Sequence, residues 1–155
     1  MQITARVDYA VRALIEIARQ PERPTTRDEI AERQRIPPRY LEAVLTQLAK
    51  GGLVTGHRGA AGGYTLTRTA GELTVADAAR CVDGPLTLVA SQRPERVVYT
   101  GASAGLEELW VGLRSAVRSV LEAVTIADLA AGHLPEDVRA LVEDPDAWRP
   151  RVGPV

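Results

Sequence analysis

The chain has 155 residues, 45% of them hydrophobic, and a formal net charge of −1. That is long enough for one folded domain with an added assembly element, and too apolar for a disordered tail. Its charge is divided: residues 1–68 carry eleven Arg or Lys against seven Asp or Glu, and residues 69–155 carry eight against thirteen. A basic front joined to an acidic remainder fits either a nucleic-acid-binding module with a separate sensing or assembly region, or ordinary solvated surface charge. The single cysteine, Cys81, excludes an intrachain disulfide and a C-x-x-C site. A soluble, cytoplasmic protein is expected, because charges come too early for a signal peptide and no apolar run approaches the roughly 18 residues of a membrane span.

In chain order, Val7, Ala10, Val11, Leu14, Ile17 and Ala18 recur at helical spacing over residues 4–19, with Arg6, Asp8, Arg12 and Glu16 expected elsewhere on the cylinder. Prolines 21 and 24 end that helix. Thr26 and Glu29 have capping-box spacing and open a short helix reaching about residue 34. Pro37 and Pro38 break and restart the chain, Pro38 standing in the first turn of a third helix. Leu41, Val44, Leu45 and Leu48 form its buried face, and Gly51-Gly52 stops it. Residues 53–58 and 64–67, separated by Gly59-Ala60-Ala61-Gly62-Gly63, read as a hairpin. Three helices followed by a hairpin make a winged helix-turn-helix.

Thr74 caps a helix over residues 75–82, closed by Asp83-Gly84-Pro85. Residues 87–103 are irregular, with a short strand expected at 96–99. A long helix is predicted over residues 103–124, where Leu106, Leu109, Trp110, Leu113, Ala116, Val117, Val120 and Leu121 have heptad-like spacing. Thr125 and Asp128 cap a short turn, and one more helix is expected at 136–143 before a Pro- and Asp-rich end. The fold is therefore mainly α with a small β-hairpin wing and a long dimerisation helix. The expected division is a DNA-binding domain over 1–84, a sensor-like loop and dimerisation helix over 85–131, and a tail over 132–155.

On the third helix, the positions opposite the leucines are Arg39, Ala43, Thr46 and Lys50, flanked by Tyr40, Glu42 and Gln47. Such a face is either solvated or a reader of the major groove, in which Arg39 donates to guanine or phosphate, Tyr40 meets phosphate, Glu42 accepts from cytosine and Gln47 reaches a base edge. Arg58, beside Gly59 and Gly62-Gly63, is suited to a narrow minor groove, where the phosphate potential favours arginine. Thr26 and Gly59 are counted at the edges of this surface. His57 and His133 form no metal motif. There is no nucleophile elbow, P-loop, dinucleotide-binding glycine pattern or zinc motif, so an enzyme is not expected. A winged helix used for protein contact stays open as the alternative to a DNA reader.

The run Ile36-Pro37-Pro38-Arg39-Tyr40-Leu41-Glu42, then Leu45, Leu48, Lys50-Gly51-Gly52-Leu53-Val54, Arg58-Gly59 and Gly62-Gly63-Tyr64-Thr65-Leu66 resembles the Rrf2 family of bacterial transcriptional regulators. Tyr9-Ala10-Val11-Arg12-Ala13-Leu14, Val82-Asp83-Gly84-Pro85 and Val124-Thr125-Ile126-Ala127-Asp128-Leu129 support it, so that the resemblance covers about residues 1–130. It implies a homodimer joined through the long helix, binding double-stranded DNA at a pseudo-palindromic operator, with repression the commoner behaviour. Recognition-helix positions map onto Arg39, Tyr40 and Glu42, and the wing arginine onto Arg58. Pro37, Pro38 and Ala43 stand where better-known members use polar contacts, so the operator sequence does not transfer.

Many members of that family hold an iron-sulfur cluster through three cysteines between the fourth helix and the long helix. Residues 84–106 contain none. Thiolates being the usual ligands, a cluster-free branch without cofactor is expected. Cys81 reads as a buried structural thiol; as a redox switch it would need exposure or a lowered pKa. Trp110 reads as dimer-interface core rather than a ligand cage. Residues 87–104, with Tyr99, either close a small-molecule effector pocket beside the long helix or merely pack, so the signal stays open between a small molecule and thiol redox.

Overall fold

The computed structural model describes residues 2–59 and 62–149; Ala60 and Ala61 of the expected turn and residues 150–155 of the expected tail lie outside the described residues. In chain order the elements are α1 (Ala5–Ala18), α2 (Arg27–Gln34), α3 (Pro38–Lys50), β1 (Val54–His57), β2 (Gly63–Leu66), α4 (Val75–Asp83), α5 (Leu106–Ala123), α6 (Ile126–Ala130) and α7 (Glu136–Glu143). Threonines decide where most of the helices begin. Thr4 accepts from the Val7 amide, and Thr26, Thr74 and Thr125 complete capping boxes with Glu29, Asp77 and Asp128. Each cap satisfies amides that a helix start leaves free and contributes about 1 kcal/mol.

The core is built around α1, which packs against α2, α3, α4, α6 and β2. Its Leu14 meets a set of fully buried side chains, among them Ile30, Leu41, Leu45, Leu48 and Leu73. Burying each large aliphatic side chain stabilises the fold by about 1.5–3 kcal/mol. Glu16 departs from the expected outer face: it is 3% exposed, accepts from Gln34 Nε2 at 2.6 Å and faces Arg33 at 3.5 Å. Its burial is compensated by partners at the end of α2, about one helix away in the sequence, which the periodicity of α1 could not reveal.

β1 and β2 pair antiparallel, Val54 opposite Leu66 and His57 opposite Gly63. Thr25 adds a short third edge, exchanging backbone hydrogen bonds with Tyr64 at 2.9 and 3.0 Å, and so fastens the wing to the start of α2. After the long helix the chain returns to the first core: Val75 N donates to Val124 O and Ile126 N to Leu73 O, leaving Ile126 fully buried among the residues of α1–α4. α6 thus shares the core of α1–α4.

Two expectations about the connecting region are corrected. No strand forms at 96–99; a 3-10 turn at Pro94–Arg96 is followed by extended residues that pair with nothing, Val98 being 86% exposed. β-prone residues need an adjacent strand edge, and none lies beside them. The long helix starts at Leu106 rather than 103, because Gly101–Ser103 forms a separate 3-10 turn with Gly101 at φ +59°.

Candidate nucleic-acid interface

The candidate surface is assembled from α2, the turn after it, α3 and the wing. α2 ends on Arg35, held in the left-handed region at φ +52°, and Ile36 then inserts into the core with its amide on Ala31 O. That reversal aims α3 away from α2. Inward, α3 buries Leu41, Val44, Leu45 and Leu48; outward, it exposes Arg39, Tyr40, Glu42, Ala43, Thr46 and Lys50, while Gln47 is half-buried. The helical face expected to be buried and the face expected to be free are thus the ones found.

The exposed groups differ in how committed they are. Arg39, Lys50 and Arg58 make no ion pair among the described residues, and Tyr40 is 65% exposed. Glu42, by contrast, faces Arg27 at 3.5 Å, and Arg27 also pairs with Asp28 at 2.9 Å. Thr46 donates its hydroxyl to Glu42 O at 2.8 Å within its own helix. Thr26 is fully engaged by Glu29, through both its amide and its hydroxyl, so it fixes the start of α2. Glu29 is held at about 2, first by the Arg23 guanidinium and then by the Thr26 amide and hydroxyl. Arg27 was not singled out by sequence; its place immediately after the Thr26 cap was the available signal.

In the wing, Arg58 follows β1 and is exposed together with Gly59. His57 Nε2 lies 2.8 Å from Thr65 Oγ1, a tie between the two strands. The glycines serve the turn itself. A Cβ at Gly62 would meet His57 O at 2.7 Å, and one at Gly63, where φ is +148°, would meet Thr25 O at 2.7 Å. Gly63 is what allows the hairpin to lie against Thr25, a requirement distinct from clearance for a groove.

α5 contributes a different surface. None of its eighteen residues is buried. The eight positions grouped by heptad spacing separate in space: Val117 and Leu121 line a small cavity with Val7 and Ala79 of the same chain, whereas Leu109 and Leu113 point outward at 55% and 39% exposure and Ala116 is exposed. Leu106, Trp110 and Val120 are half-buried, and the Trp110 indole N–H is shielded from solvent with no acceptor among the described residues.

Cys81 sits where α4 crosses the end of α3. Its Sγ donates to Gln47 O at 3.4 Å and packs so closely on Gly51 that a Cβ there would overlap the sulfur. Burial pushes the thiol pKa up, against a smaller downward pull from the Gly51 backbone. An iron-sulfur cluster needs several thiolates, and the chain offers this one, already committed to a helix contact. These residues do not fit such a group. Among the described residues no His, Cys, Asp and Glu side chains gather as a metal site, and no helix is long and apolar enough to cross a membrane.

Residues 3–132 match the family described as Rrf2, iron-dependent transcriptional regulator. An HTH-type transcriptional regulator named in Mycobacterium tuberculosis is 41% identical over 145 residues, covering 93% of this chain and 90% of that protein. The CymR regulator of Bacillus subtilis is 33% identical over 132 residues, covering 84% of this chain and 91% of its own. The solved structure of that CymR, described as the global cysteine regulator of B. subtilis, superposes with a TM-score of 0.72 over 85% of this chain and 98% of its own, at 33% identity. IscR of T. potens superposes with a TM-score of 0.69 at 28% identity, over 85% and 88%. These relatives are transcriptional regulators, not enzymes.

Proposed function

The chain belongs to the Rrf2 family of DNA-binding transcriptional regulators, and from that premise we propose that it is a homodimeric repressor reading a pseudo-palindromic operator. Residues 1–84 carry DNA recognition, 85–131 carry dimerisation and sensing, and 132–155 form a tail. Arg39, Tyr40, Glu42, Thr46, Gln47 and Lys50 of α3 enter the major groove, and Arg58 with Gly59 enters the minor groove, while Thr26 holds α2 against the backbone. Glu42 exchanges Arg27 for a base or stays paired, which makes it a specificity element rather than an affinity element. The observation that carries the reading is the set of exposed cations Arg39, Lys50 and Arg58, unpaired among the described residues, on a helix whose other face is packed into the core and on the wing beside it. Unpaired guanidinium and ammonium groups gain most from a phosphate backbone, because binding releases the counterions condensed on it.

Dimerisation runs through α5. An amphipathic helix of eighteen residues with none buried and with Leu109 and Leu113 outward is unfinished as a monomer surface. A second copy covers it and supplies the two-fold symmetry that an inverted repeat requires. Repression follows from a dimer lying across a promoter. The signal arrives without an iron-sulfur cluster, through a small molecule or through the Cys81 thiol; the upward pKa of that thiol favours the small molecule.

Genome-wide mapping of bound DNA, followed by footprinting on the sites recovered, tests the reading. The expected result is an inverted repeat whose half-sites lie about one helical turn, or a multiple of it, apart. Recovery of no shared sequence, together with capture of one partner protein through α3 and the wing, would replace it with the protein-contact alternative.

A further inference from the structure

Between α4, the loop after it and α5 lies a cavity of about 540 Å³ that DNA recognition does not use. Arg80 of α4, Arg93 of the loop, and Arg114 and Arg118 of α5 all line it. This is an unusual gathering in the half of the chain where acidic residues outnumber basic ones. Only two carboxylates offset the four guanidinium groups: Glu95 pairs with Arg114, and Glu122 is shared by Arg80 and Arg118. Arg93 makes no ion pair among the described residues. Thr87, also in the wall, buries its hydroxyl oxygen without a hydrogen-bond partner.

Guanidinium groups brought together in excess repel one another, and their planar forks match carboxylate and phosphate oxygens in pairs. The volume lies within the roughly 300–1,000 Å³ typical of small-molecule sites and is too small for a duplex or a folded partner. Pro85 and Leu86 add an apolar strip to the charged wall. The carboxylates already present hold their protons weakly: Glu122 is pulled below the usual range by Arg80 and Arg118, and Glu95 by a backbone hydrogen bond and then by Arg114. Both are therefore ionised at neutral pH, and the positive excess remains after they are counted.

We propose that this cavity binds a small metabolite anion bearing two or more carboxylate or phosphate charges, and that its occupancy sets how α4 sits between α5 and the recognition helix. The mechanical link is short. Arg80 is followed directly by Cys81, whose sulfur bonds to Gln47 O and rests on Gly51 at the end of α3. An anion drawing Arg80 toward Arg114 and Arg118 acts on the same turn of α4 that braces α3. The coupling to DNA rests on the proposed function; the anion site itself does not.

Isothermal titration of the full-length protein with inorganic pyrophosphate and, separately, with citrate, at ionic strength held constant with potassium chloride, tests the site. The two titrations distinguish phosphate from carboxylate recognition. Saturable binding of at least one anion is expected, weakened about tenfold or more in Arg93→Gln and in Arg114→Gln, the loss of one charge-assisted contact. Arg93 is exposed and unpaired, so its variant separates lost binding from lost folding. Operator affinity should change by about fivefold or more on adding the anion that binds. Arg58→Ala should bind the anion as wild type does while losing DNA, so failure of the DNA reading and failure of this site remain distinguishable. No saturable binding of either anion, or equal binding by wild type and both cavity variants, would overturn the site. Anion binding that leaves operator affinity unchanged would overturn its effector role.

Discussion

α3 and α5 are both amphipathic helices with one face uncovered, but the uncovered faces are opposite in chemistry. α3 buries four aliphatic side chains and turns Arg39, Tyr40 and Lys50 to water; α5 buries none and turns Leu109 and Leu113 outward. A charged face is stable in water and gains further from a polyanion. An apolar face loses about 25 cal/mol for every Å² left wet, so it gains from another protein surface. The contrast is the ground for the proposal that nucleic acid covers one helix and a second copy of the chain the other.

The most severe way to break that contrast is to empty the inner face of α3. Leu45→Ala should lower unfolding stability by about 2–5 kcal/mol in urea, because a fully buried leucine leaves a cavity as well as lost apolar contact. A loss below about 1 kcal/mol would show that α3 is held by something other than this packing. Leu113→Asp should act next most strongly and in the opposite manner. Its circular dichroism and thermal melting should stay close to wild type while sedimentation shows monomer and operator affinity falls about a hundredfold, the bivalent contribution being lost. A persistent dimer would move the interface away from the outward face of α5.

Arg58→Ala sharpens the other side. It should weaken operator binding by about 1–3 kcal/mol in fluorescence anisotropy without changing thermal stability, since the side chain has no partner among the described residues to lose. Unchanged affinity would remove the wing arginine from the interface. The smallest effect is expected from the cap that positions α2. Glu29 has its pKa lowered from 4.5 to about 2 by Arg23 and Thr26 in the folded protein. A depressed carboxylate stabilises the fold above its unfolded pKa and loses that contribution as pH falls through the folded value. Melting temperature should therefore decline between about pH 5 and pH 2, and Glu29→Gln should flatten part of that decline; an unaltered acid limb would show that the charge of Glu29 does not matter.

What the sequence disclosed follows the same contrast. The faces of α3, the Thr26–Glu29 capping box, the caps at Thr74 and Thr125 and the hairpin were legible because each is written in residues three or four positions apart, or in adjacent glycines. The burial of Glu16 was not, since it depends on Gln34 and Arg33 reaching back from α2. The expected strand at 96–99 failed for want of a neighbouring edge. Heptad spacing on α5 identified an amphipathic helix but not which positions pack on the rest of the same chain: Val117 and Leu121 turn inward, and Leu109 and Leu113 do not. The arginine-lined cavity was illegible because its members are spread from position 80 to position 118 and converge only once α4, the loop and α5 are folded together.

The central claim, that the cations of α3 and the wing meet nucleic acid, is tested most directly by operator affinity across ionic strength. The wild-type protein and an Arg39→Ala, Lys50→Ala, Arg58→Ala triple variant would be compared. The wild type should show a steep linear fall of log affinity with log salt concentration. The triple variant, still dimeric and folded, should show a slope shallower by up to about five, close to one for each of the cations that the two subunits together lose. An identical slope in the two proteins would contradict the account, because the unpaired cations would then not be the groups that displace counterions from DNA.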